Sequence, residues 1–246
     1  VAERWEANAD NTKFTFYLRK DAQWNEHTPL TSDDFVFGVK RALLPSTAAT
    51  ELEDLYIIKN AVAFHNGQAD AAALGIRALD DHTLEFELEK SYADFPKLTA
   101  GIRYMPCNQT FFESTQGRYG LDAIHTLTNG PFTFATNYAW ESATSIALAK
   151  AKLYVGENPA NATDLMITMK DETVAADPQA ALLEGKTDVL KVNAEEADRL
   201  KAQGSEITIL NNGVFGLLLN SQANYLNEKE YREKLFKTID RLDLLT

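Results

Sequence analysis

The chain has 246 residues, 45% hydrophobic and 24% charged, a composition ordinary for a globular protein and enough to bury one large core or two small ones. No apolar run approaches the roughly 20 residues that span a bilayer. The formal net charge of -12, with basic residues scattered singly, repels phosphate backbones, so nucleic acid is not an expected partner.

Along the chain, Phe14, Phe16 and Leu18 alternate with Thr15, Tyr17 and Arg19, the period of two of a half-buried strand. Thr31 stands three residues before Asp34 in a capping-box-like start. Phe35, Val36, Val39, Ala42 and Leu43 then share one helical face until Pro45 stops it, which predicts a helix over residues 31–44 packed on that strand. A looser Ala-rich helical stretch covers residues 52–64, and Asn66-Gly67 breaks it. Ile76 and Ala78 begin a second alternating segment, Asp80-Asp81 turns it, and Leu84, Phe86 and Leu88 alternate with Glu85, Glu87 and Glu89. The pattern predicts a hairpin with one acidic, solvated face.

Asn129-Gly130-Pro131 is a turn that opens a second sheet region, with short alternating segments at residues 132–134 and 146–148. From Leu165 the expected order is strand 165–169, helix 175–184 closed by Gly185, strand 188–190, helix 195–203 closed by Gly204, and strand 207–210, an α/β layer. The apolar run 214–219 reads as a strand covered on both faces. Residues 229–239 read as an amphipathic helix carrying Tyr231, Leu235, Phe236 and Ile239. No internal repeat or low-complexity tract interrupts this order.

Catalytic and metal signatures are missing. His27, His65, His82 and His125 lie far apart at no ligand spacing. There is no G-x-S-x-G elbow, phosphate loop or G-x-G-x-x-G turn. Cys107, the one cysteine, allows no internal disulfide or cysteine-based zinc site, has no marked histidine partner, and reads as a small buried hydrophobe. Asp33-Asp34 and Asp80-Asp81 read as a helix start and a turn. Trp24, Tyr56, Tyr104, Trp140, Phe215 and Tyr225 are divided between core and ligand groove in a way the sequence leaves open. No enzyme activity, metal or cofactor is expected.

A series of segments in fixed order carries a resemblance. Residues 14–24 (FTFYLRKDAQW), followed by 28–37 (TPLTSDDFVF) and Lys40-Arg41, resemble the signature of family 5 extracellular solute-binding proteins, whose best-known members bind oligopeptides and dipeptides. Residues 74–84 (LGIRALDDHTL) look like the family's hairpin and 129–132 (NGPF) match its turn. Leu183, Gly185 and Asp188, then Leu219-Asn220, then Ile239-Asp240-Arg241 fall at its later landmarks. Three departures stand out. Glu26-His27 replaces the usual Asp-Gly or Asn-Gly before Thr-Pro, Tyr154-Val155 replaces Tyr-Trp, and the family's chain is about twice as long.

The resemblance implies an α/β, type II periplasmic-binding-protein-like fold, here incomplete. Residues 1–125 are expected as the small extra subdomain of the first lobe, 126–214 as part of that α/β lobe, and 215–246 as the hinge strand and start of the second. The chain thus reads as an internal piece, with any targeting signal and the aspartate that pairs with the ligand's amino group expected outside it. The implied function is the extracytoplasmic substrate-binding component of an ABC importer, on the cell surface or in the periplasm, with a peptide ligand and the membrane permease as partners. By position, Asn193, Val192, Phe215 and Leu217 are the ligand-binding candidates. Of the residues in the groove segments only Asn193 and Phe215 keep the character of known peptide binders, since Lys191, Val192, Gly216 and Leu217 depart from it. The same fold with a nickel chelate, sugar or haem as cargo, and an enzyme with an unmarked site, are the competing readings. Self-association of the incomplete chain is a further expectation, because apolar surface near 214–219 loses its cover.

Overall fold

A computed structural model of the chain describes residues 1–141, 143–169, 177–209 and 219–239. It forms two units, Val1–Pro178 and Gln179–Thr246.

In the first unit, β1 (Ala2–Ala7), β2 (Lys13–Leu18), β3 (Ile76–Asp80) and β4 (Thr83–Glu87) make an antiparallel sheet in the order β1-β2-β4-β3. Phe14 lies opposite Phe86 and Phe16 opposite Leu84 between β2 and β4. Ile76 lies opposite Phe86 between β3 and β4. Directly opposed residues share a face, so the period-two patterns of three strands add into one apolar surface. Helix α1 (Ser32–Leu43) buries Val36, Val39 and Leu43 in the same cluster as Phe14, Phe16, Leu84 and Phe86. The expected helix and its packing are present, although Leu18 is buried outside that cluster. Phe95, at the start of the short helix α3 (Phe95–Leu98), is fully buried with its ring 5.1 Å from those of both Phe14 and Phe86.

The predicted helical stretch 52–64 contracts to a 3-10 turn at Glu53–Leu55 and a five-residue helix α2 (Ala61–His65). The backbone between them is drawn elsewhere. The Lys59 N–H donates to the Glu87 carbonyl, the Gly75 N–H donates to the Lys59 carbonyl, and Asn60 takes a left-handed φ of 60°. Those bonds extend β4 and exclude a continuous helix.

The acidic face of the hairpin is not simply solvated. The Glu85 side chain is only 12% exposed, 2.5 Å from Arg77 and 3.6 Å from Lys13, and Glu87 lies 2.6 Å from Lys59. Cations thus pair with Glu85 and Glu87, two of the glutamates that the alternation assigns to water, while Glu89 stays exposed.

Helix α4 (Gln109–Ser114) precedes the second sheet, which is built on β7 (Ser145–Lys150). There β5 (Phe132–Phe134) and β6 (Trp140–Glu141) pair along one edge and β8 (Asp164–Thr168) along the other. Its register opposes Phe134 to Leu148, Trp140 to Ile146, Leu148 to Leu165 and Ile146 to Ile167. One face is therefore largely apolar, with Lys150 opposite Phe132 at its end. It is half-buried along β5, β6 and β7 and exposed along β8, with Phe134 stacked on Trp140 at 5.9 Å.

Helix α5 (Pro178–Leu183) starts at the division between the units, with proline at a position that needs no N–H donor. Residues 175–176 of the expected helix lie outside the described residues. The second unit holds α6 (Ala194–Ala202) and α7 (Lys229–Thr238), both as expected, with Tyr231 and Phe236 of α7 exposed. The expected strands at 188–190 and 207–209 do not form. Val189 is 86% and Ile209 77% exposed, and neither segment has a ladder partner among the described residues. A strand gains its stability from such a partner and from a covered face. The expected strand at 214–219 falls almost wholly outside the described residues, as do residue 210 and Asp240-Arg241.

Candidate functional site

Of the four groove candidates, the structure describes Val192 and Asn193, while Phe215 and Leu217 lie outside the described residues. Val192 is half-buried and Asn193 exposed. Asn193 is the N-cap of α6. Its Oδ1 accepts from the Glu196 N–H at 2.9 Å, and Glu196 Oε2 accepts from the Asn193 N–H at 3.1 Å, a reciprocal capping box. The acceptor end of this side chain is committed to the helix, and the amide NH2 is the end left to offer a ligand, as a donor to a carbonyl oxygen. The Asn-x-x-Glu spacing that signals the cap is legible at 193–196, but the sequence reading placed the helix start later and assigned Asn193 to the groove alone.

The first unit carries a cleft of about 500 Å³ between α1, the 71–75 segment and the β3–β4 hairpin, with Lys59, Glu85 and Glu87 in its wall. Four of the charged side chains lining it pair off, Lys59 with Glu87 and Arg77 with Glu85. The Lys59 side chain donates to Glu87, which holds that carboxyl below its usual range. A second cleft, along β1 and the β3–β4 turn, includes Asp80, Asp81 and His82. Asp80 closes the turn there. Its carboxylate accepts from the His82 N–H at 2.8 Å and from the Thr83 hydroxyl at 2.8 Å, and the first of these pulls its pKa down.

Cys107 is buried, and burial pushes its thiol up, away from the nucleophilic thiolate. His65 Nδ1 lies 2.8 Å from the Leu43 carbonyl, and His125 Nδ1 lies 2.8 Å from Asp122. No group of three His, Cys, Asp or Glu side chains could hold a metal ion among the described residues.

The aromatic candidates separate clearly. Trp24 and Tyr104 are core, and the Tyr104 hydroxyl donates to the Asp54 carbonyl at 2.6 Å. Tyr56 packs on the same core, Trp140 lies on the apolar sheet face, and Tyr225 is exposed against Tyr231. Phe215 is outside the described residues. The turn that replaces the family's glycine is also resolved. His27 takes a left-handed φ of 61°. The Trp24 N–H bonds to the Thr28 carbonyl at 2.9 Å, and Asn25 ties the loop to Thr128 through two hydrogen bonds of 2.8 and 3.0 Å.

The sequence pattern described as bacterial extracellular solute-binding proteins, family 5 middle, matches residues 1–246. The chain belongs to this family. It is 27% identical to the oligopeptide-binding protein OppA of Bacillus subtilis over 248 residues, covering all of this chain and 45% of that protein. The substrate-binding domain of an oligopeptide ABC transporter from Bacillus anthracis superposes with a TM-score of 0.73 at 32% identity, covering 81% of this chain and 38% of the other. The peptide-bound OppA of Listeria monocytogenes gives 0.70 at 28% identity, with the same coverage. The fold of this family 5 chain is thus an α/β periplasmic-binding-protein fold, present in part. The chain spans less than half the length of these relatives.

Proposed function

We propose that this chain is part of the substrate-binding component of an ABC importer, which captures oligopeptides outside the cytoplasmic membrane and delivers them to the permease. The observation that carries this reading is the family match over the whole chain, joined to the likeness to a receptor solved with peptide bound. An extracytoplasmic setting agrees with the family's description as extracellular. In this reading residues 1–125 form the extra subdomain, 126–214 belong to the first lobe and 215–246 begin the second. Peptide lies between the lobes as an added strand would, its backbone met by main-chain and amide donors. Asn193 contributes its free NH2 to a ligand carbonyl, and Val192, Phe215 and Leu217 are the other ligand-binding candidates. Self-association of the chain through its exposed apolar surface belongs to the same reading.

Mass spectrometry of small molecules retained by the longer receptor after gentle purification tests the cargo. A mixture of short peptides is the expected result. A nickel chelate, sugar or haem as sole ligand would overturn the peptide assignment while keeping the fold, and turnover on a substrate panel would overturn binding as the function.

A further inference from the structure

We draw no further inference here: the strongest candidate, the apolar face of the second sheet formed by Phe134, Trp140, Ile146, Leu148, Leu165 and Ile167, carries none because nothing in the structure shows what covers it.

Discussion

The indole Nε1 of Trp24 donates a 3.0 Å hydrogen bond to Oδ2 of Asp34, a carboxylate only 5% exposed. Asp34 also accepts from the Thr31 N–H at 3.0 Å and from Asn108 Nδ2 at 3.2 Å, and Asn108 in turn caps α4 by accepting from the Phe111 N–H. One buried side chain thus joins the Trp24 loop, the start of α1 and the start of α4. Trp24→Phe, which removes one donor and leaves part of a buried acceptor unmatched, should cost about 1–3 kcal/mol. Asp34→Ala strands three donors and should cost about 3 kcal/mol or more. Urea denaturation of the chain measures both, and an Asp34→Ala loss no larger than that of Trp24→Phe would contradict the shared-hub account.

Gly38 lies inside α1, where alanine would ordinarily be better by about 0.5–1 kcal/mol. A Cβ placed there would sit 2.5 Å from the Met105 carbonyl oxygen, a backbone atom held close because the Cys107 N–H bonds to the Asp34 carbonyl at 2.9 Å. Gly38→Ala should therefore destabilise, by about 1–3 kcal/mol as for other overpacked sites. An unchanged or raised urea midpoint would show that the 105–107 segment can move aside.

His27 occupies a left-handed conformation at φ 61°. That costs a side-chain-bearing residue about 1–2 kcal/mol, while glycine gives back up to about 1 kcal/mol through its freer unfolded chain. His27→Gly should leave thermal stability within about 1 kcal/mol of the parent. His27→Val, β-branched and worse suited to positive φ, should lose about 1–2 kcal/mol. The ordering of melting temperatures, glycine above valine, is the test.

Among the described residues five carboxyl groups titrate below their ordinary range: Asp122 through its side-chain bond to His125, Asp80 through the His82 N–H, Glu87 through Lys59, Asp21 through Arg19 and Asp10 through the Thr12 hydroxyl. Because the folded values lie below the unfolded ones, each contributes stability that is present above about pH 4–5 and is lost as the pH falls through the folded value. The urea midpoint should hold between pH 7 and 5 and drop below about pH 4. Asp122→Asn should make that drop shallower. A wild-type midpoint that rises on acidification would reverse the sign.

How far the sequence anticipates the structure depends on how local each pattern is. Helix α1 and the β3–β4 hairpin are legible because cap, period and turn all fall within a few residues of one another. Phe95 carries no period in its own segment, and it is central only because the fold brings Phe14 and Phe86 to it. The Glu85 face looks solvated along β4, yet Arg77 and Lys13 reach it from neighbouring strands. Segments 188–190 and 207–209 have strand composition, but composition supplies no partner edge. At the candidate site, position along the family pattern points to Asn193, whereas its helix cap is a short-range signal written in Glu196.

We propose that peptide is held between two lobes, of which these residues supply chiefly one. Calorimetric titration of a retained peptide into the longer receptor, and in parallel into this chain alone, tests it most directly. A closed cleft draws affinity from groups desolvated on both sides, and losing one partner of a buried charged contact costs about 2–5 kcal/mol. At about 1.4 kcal/mol per tenfold, the chain alone should bind at least ~30-fold more weakly than the longer receptor. Equal affinity in the two would place the whole groove within these 246 residues and contradict the two-lobe account.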